Sequence, residues 1–134
     1  MGQVRRAGVA NGRPPALMRQ GVEPGSREVQ LQGSTAMIYV IATLHIRPEK
    51  RADFLENART VIAHTIKEQG CASYDLTSSI TEPNEFVFVE RWETRDALTA
   101  HFATPHLQEW RRVSAGFIAE RKVEVVHPEK VEVL

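Results

Sequence analysis

Two segments, residues 37–46 (MIYVIATLHI) and 85–93 (EFVFVERWE), are apolar at both sets of alternate positions, and no other feature narrows the fold as much. In the first, Ile38, Val40, Ala42, Leu44 and Ile46 fall on one parity and Met37, Tyr39 and Ile41 on the other. In the second, Phe86, Phe88 and Trp92 stand opposite Val87 and Val89. Runs so rich in β-branched and aromatic residues are strands. Successive side chains of a strand leave opposite faces of its sheet, so a sheet built on these two segments needs cover on both sides.

The punctuation between them supplies the other elements. Pro48 suits the first turn of a helix, where its missing N–H would have no partner in any case. Phe54, Leu55, Ala58, Val61, Ile62, Thr65 and Ile66 then recur at helical spacing to about Gln69, and Gly70 stands where helices commonly take a left-handed turn. Residues 71–79 (CASYDLTSS) read as a strand, and Thr81-Glu82-Pro83-Asn84 is turn chemistry, so the next strand completes a hairpin. Thr94 caps a short helix to about Ala103. Thr104-Pro105 caps another, which carries His106, Leu107, Trp110, Val113, Phe117 and Ile118 on one face. Residues 122–126 and 131–134 are expected to form a last strand bent at Pro128. The order β-α-β-β-α-β is an α+β domain of ferredoxin-like type, with right-handed crossovers placing the helices on one face of a four-stranded sheet. The chain offers no helix for the second face. A second copy of the protein is the expected cover, as a homodimer with sheets packed face to face and the tail beyond Pro128 reaching the partner.

The chain of 134 residues has 17 basic and 17 acidic side chains, a balance that argues against a phosphate-binding surface and hence against a nucleic-acid partner. The balance conceals two kinds of material. Residues 1–36 carry five Arg and two Glu, with Pro14-Pro15, Pro24-Gly25 and no run of four apolar residues; residues 37–134 carry the acidic excess. The first part is expected to be a disordered extension, with Met37 as the first residue of the domain. With one cysteine, Cys71, no internal disulfide can form, and a reducing cytoplasm is the expected location. No stretch reaches the roughly 18 apolar residues of a membrane span.

No HExxH, Walker loop, GxGxxG or GxSxG occurs, so chemistry must come from scattered histidines and aromatics. Cys71 reads as a small strand residue. His64 lies off the apolar face of its helix, His45 faces solvent or an interface, and His127 sits near the tail. His101 shares a helical face with Leu98, and His106 is in line with Trp110 and Val113, so both are expected to point towards the sheet. A buried imidazole is held neutral and accepts a proton from a phenol at neutral pH. The histidine pair has no clear third ligand, so no metal site is expected. Trp92 with Phe86, Phe88, Tyr74, Phe102 and Trp110 would line an apolar pocket suited to a flat aromatic ligand.

The segment VERWETRDALTAHFATPHLQEW (residues 89–110) and the stretch Glu68-Gln69-Gly70-Cys71-Ala72-Ser73-Tyr74 resemble the antibiotic-biosynthesis monooxygenase family, in particular its quinol monooxygenase branch. The resemblance covers residues 37–134 and none of 1–36. It implies a dimeric α+β barrel and oxygenation of a quinol or polycyclic phenol by O₂ without flavin, haem or metal. In that chemistry the substrate anion supplies the electron, and the protein binds the ring, deprotonates it and excludes water. Carried onto this chain, it gives His106 or His101 as the base and Trp92 with Phe102 as ring-packing walls, with Tyr74 matching less closely. Haem-degrading relatives use an Asn on the first strand, which this chain lacks. Two other readings stay open: isomerisation of a small hydroxy-ketone on the same scaffold, and a non-catalytic dimeric ligand-binding or stress-response module.

Overall fold

The computed structural model describes residues 37–134; the expectations for residues 1–36 lie outside the described residues. The chain runs β1 (Ile38–Ile46), a 3₁₀ turn (Pro48–Lys50), α1 (Arg51–Thr65), β2 (Cys71–Ser78), β3 (Glu85–Trp92), α2 (Arg95–Phe102), α3 (Pro105–Ser114) and β4 (Ile118–Val126). The sheet order is β2-β3-β1-β4, antiparallel throughout. This is the expected ferredoxin-like arrangement, with the second helical segment split in two at Thr104-Pro105.

The two doubly apolar strands are the central pair, as their composition requires. Along β1 every second residue from Ile38 to Ile46 is buried, and along β3 the buried set is Phe86, Phe88, Glu90 and Trp92. With Tyr74 from β2 these residues form the helix-facing side of the sheet. Phe54, Ala58, Val61 and Ile62 of α1, Leu98 of α2, and Leu107 and Trp110 of α3 close over it. Phe54 packs on Phe86 at 4.9 Å and on Trp110 at 5.6 Å between ring centroids, joining α1, β3 and α3.

The opposite side of the sheet is more polar than the central strands alone suggest. Tyr39, Ile41, Val87 and Val89 make an apolar centre, and Ile41 stands beside Val89 in the register. On the flanks, Asp75 pairs with Val89, Thr77 with Val87, Glu124 with Ile41 and Lys122 with Thr43. Cross-strand partners share a face, so the apolar centre is framed by charged and polar edges.

Local capping follows the sequence closely. The Thr94 hydroxyl accepts from the Ala97 N–H, and the Thr104 hydroxyl accepts from the Leu107 N–H ahead of Pro105. Three boundaries differ from expectation. The α-helical part of α1 stops at Thr65 rather than Gln69, because the following turn is tightened by the Lys67 N–H to His64 carbonyl and Glu68 N–H to Thr65 carbonyl bonds. Phe117 and Ile118 do not extend α3. The Phe117 carbonyl accepts from the Arg47 N–H, and Ile118 pairs with Ile46 as the start of β4. Residues 131–134 add no strand: β4 has reached the beginning of β1 at the Tyr39–Val126 pair, so the ladder has no partner left there, and Val133 and Leu134 are exposed. Among the described residues, no helix is long and apolar enough to cross a membrane.

Candidate active site

Gly70 sets the site. Its φ of +88° is left-handed, and a Cβ added to it would fall 2.5 Å from Cβ of Ala97 in the first turn of α2. The missing side chain lets the α1–β2 connection lie directly on α2. The Gly70 carbonyl then accepts from the Glu93 N–H at 2.8 Å. This close approach brings Glu68, two residues upstream, beneath His101, one turn further along α2.

Glu68 Oε2 is the meeting point of two histidines. His101 Nδ1 lies 2.9 Å from it and His106 Nε2 lies 2.5 Å from it. An ionised carboxylate only accepts, so each of those nitrogens carries a hydrogen. In the neutral imidazoles the proton-accepting nitrogens are therefore Nε2 of His101 and Nδ1 of His106. His101 is 2 % exposed, whereas the side chains of His106 and Glu68 are 18 % and 12 % exposed. Burial lowers the pKa of His101, against the opposing pull of its hydrogen bond to Glu68.

Aromatic rings enclose His101. Trp92 lies 4.7 Å from it and Tyr74 5.5 Å, centroid to centroid, with Phe102 at 6.0 Å on the outer side. Behind them, Trp92 Nε1–H donates to Glu90 Oε1 at 2.9 Å. Glu90 sits on the apolar face of β3, and its loss of water pushes its pKa up to about 7, with the Trp92 hydrogen bond opposing. Burial likewise raises Tyr74 well above its ordinary value and Cys71 to about 12. Tyr74 is therefore a phenol and Cys71 an unreactive thiol at neutral pH.

A cleft of about 360 Å³ opens between α1 and α3, bordered by Asn57, Val61, His64, Pro105, His106 and Trp110 among others. His64 is exposed, as its helical position implies, yet its ring stacks on His106 at 5.4 Å and donates from Nδ1 to the Thr60 carbonyl. The sequence candidates thus divide. Trp92, Tyr74 and His101 form one enclosed ring cluster, and Phe102 lies at its edge with the Arg95 and Arg111 guanidiniums at 5.8 and 5.5 Å from its ring. Trp110 packs away from that cluster, against Phe54 and Phe88, and reaches the cleft. His106 alone both touches Glu68 and borders the cleft. His45 is remote, beside Glu85 and Glu120 at the far end of β1, and His127 is exposed.

Two acids escaped sequence reasoning. Glu90 had a usable signal, since it falls on the parity of Phe86, Phe88 and Trp92, where a carboxylate is out of place. Glu68 heads the Glu68–Tyr74 stretch that carries the family resemblance, but nothing in its spacing ties it to His101 and His106, which lie 33 and 38 residues away. The expectation that the histidine pair lacks a third ligand is corrected by this carboxylate. All three ligand atoms lie within 4.8 Å of one another.

A partly buried histidine–carboxylate–histidine bridge in a ferredoxin-like α+β domain, opening on a cleft, defines a class with a candidate acid–base centre. Within that class, residues 37–113 match the antibiotic biosynthesis monooxygenase family, and the chain belongs to it. It is 37 % identical to "Putative monooxygenase YcnE" of Bacillus subtilis over 86 residues, 64 % of this chain and 83 % of that protein. It is 28 % identical to "Probable quinol monooxygenase YgiN" of Escherichia coli over 102 residues, 69 % of this chain and 98 % of that one. Among solved structures, Rv0793 from Mycobacterium tuberculosis superposes with a TM-score of 0.69 at 30 % identity, over 73 % of this chain and all of that chain. An antibiotic biosynthesis monooxygenase homologue from Nitrosomonas europaea gives 0.68 at 29 % identity, over 71 % and 92 %.

Proposed function

We propose that the protein oxidises a quinol or polycyclic phenol with O₂, using His106 as the base. The observation that carries this reading is the Glu68 carboxylate at Nε2 of His106, beside a cleft bordered by Trp110, Pro105 and Val61. A flat ring packed there leaves its hydroxyl to His106. Nδ1 accepts the phenolic proton, and the imidazolium that forms is stabilised through Nε2–H by Glu68, as a carboxylate orients the base in a hydrolase triad. His101 is a positioning residue, because its Nδ1–H gives the Glu68 oxygen a second hydrogen bond to accept and so fixes it. Trp92, Tyr74 and Phe102 wall His101 and keep water from its imidazole.

The electron balance needs no further reductant. The substrate anion passes one electron to O₂, the radical pair joins as a C–O bond, and the resulting hydroperoxide loses water. A naphthohydroquinone plus O₂ thus becomes a hydroxynaphthoquinone plus H₂O. The kinship with a protein named for quinol oxidation supports this substrate class. We place the working unit as a homodimer, with the apolar centre around Ile41 and Val89 covered by its counterpart.

Untagged, metal-free protein should consume O₂ with a naphthohydroquinone well above the autoxidation rate, giving one hydroxylated quinone per O₂. His106→Ala should slow this by about 100-fold or more. Equal uptake with and without protein contradicts the reading.

A further inference from the structure

We propose that Glu68, His101 and His106 also form a binding site for one divalent cation of the zinc class. Three ligands reach a common point from the α1–β2 turn, α2 and the first turn of α3, and their donor atoms lie within 4.8 Å of one another. Around a four-coordinate zinc with bonds near 2.0–2.2 Å, neighbouring donor atoms stand about 3.3 Å apart. To admit the ion, the separations of 2.9 and 2.5 Å from Glu68 Oε2 open by less than about 1 Å, and the two histidine nitrogens, which lie within 4.8 Å of each other, settle at about the same 3.3 Å spacing. Two imidazole nitrogens and one carboxylate oxygen suit zinc, cobalt or nickel, and not magnesium or calcium, which take oxygen ligands. The protein supplies three ligands and leaves a fourth position open, and His106, part-exposed at the cleft and bonded to a part-exposed Glu68, gives the ion a way in.

Filling this site has a consequence for the proposed reaction, and that consequence rests on the reading given above. The nitrogens that would bind the cation are the two that now carry hydrogens to Glu68. A neutral imidazole keeps one proton, so coordination at Nε2 moves the proton of His106 to Nδ1, the atom that would take the phenolic proton. No proton leaves and no electron moves, but the base is occupied. Zinc should therefore act as an inhibitor competing for the catalytic bridge.

The binding test is independent of turnover. Untagged, chelator-treated full-length protein is titrated with Co²⁺ under argon and followed by visible absorption and calorimetry. One equivalent with the intense bands of a four-coordinate ion is expected, absent with Mg²⁺. Glu68→Gln and His106→Gln should each weaken binding by about 100-fold, with melting curves reporting that both variants fold. His45→Ala and His127→Ala should bind as the parent does. No stoichiometric bands, or bands that survive Glu68→Gln and vanish with His64→Ala, would overturn the site. In a separate arm, one equivalent of Zn²⁺ should abolish O₂ uptake. Cobalt binding without zinc inhibition would uphold the cation site and overturn His106 as the base.

Discussion

Glu90 shows how one residue couples the candidate site to stability. Its side chain lies among the buried residues of β3, where the neutral acid is favoured, and its pKa rises from 4.5 to about 7. The native state therefore binds more protons than the unfolded chain between those two values. Stability conferred by the neutral form is complete below about pH 4.5 and is lost as pH climbs towards 7, a change of about 3 kcal/mol. His101 acts in the opposite direction: its pKa is lowered, so stability is lost as pH falls below its ordinary value of 6.5. Replacing Glu90 with Gln keeps an acceptor for the Trp92 indole and removes the charge. Glu90→Gln should melt higher than the parent at pH 8 and close to it at pH 5, and a parent–variant difference independent of pH would contradict the burial argument. The same residue marks what the sequence withheld. A strand's alternation reveals a carboxylate on the apolar parity, but no sequence spacing reveals that Glu68, a turn residue, closes against histidines more than thirty positions away.

At the level of elements, most of the fold was legible, for local reasons. Thr94 and Thr104-Pro105 carry their helix starts within three residues, and the doubly apolar strands announce the centre of the sheet. The errors fall where long-range pairing decides. Ile118 leaves the helical face suggested by its spacing because it pairs with Ile46, and residues 131–134 lack a strand partner because the antiparallel β4 has already reached the start of β1. The second face of the sheet looked uniformly apolar from its central strands and is not, since Asp75, Thr77, Lys122 and Glu124 come from neighbours whose register the sequence does not print. Gly70 ends the turn after α1, as its sequence position implies, yet its larger role is spatial. Gly70→Ala would combine left-handed strain with the 2.5 Å contact at Ala97, and should cost about 3 kcal/mol in urea unfolding. It should also widen the gap between Glu68 and His101 and shift the His101 NMR titration. A variant as stable as the parent would show that the turn and α2 have room to spare.

For the whole molecule, the helices account for one side of the sheet and leave Tyr39, Ile41, Val87 and Val89 to be covered. An apolar centre framed by polar edges is the layout of a specific interface, and it matches the face-to-face dimer proposed for the working unit. Light scattering should give twice the chain mass, and Val89→Lys should halve it by placing a charge at the centre of the buried face. A monomeric parent at the same concentration would contradict the dimer. Within each subunit, the proposed reaction has Glu68 act through His106. The most direct measurement is the rate of O₂ uptake with a naphthohydroquinone for Glu68→Gln, His106→Ala and the double variant. If the carboxylate works only by holding and charging the imidazole, each single change slows the reaction and the double variant is no slower than His106→Ala. Losses that multiply in the double variant, or a Glu68→Gln enzyme as fast as the parent, would contradict it.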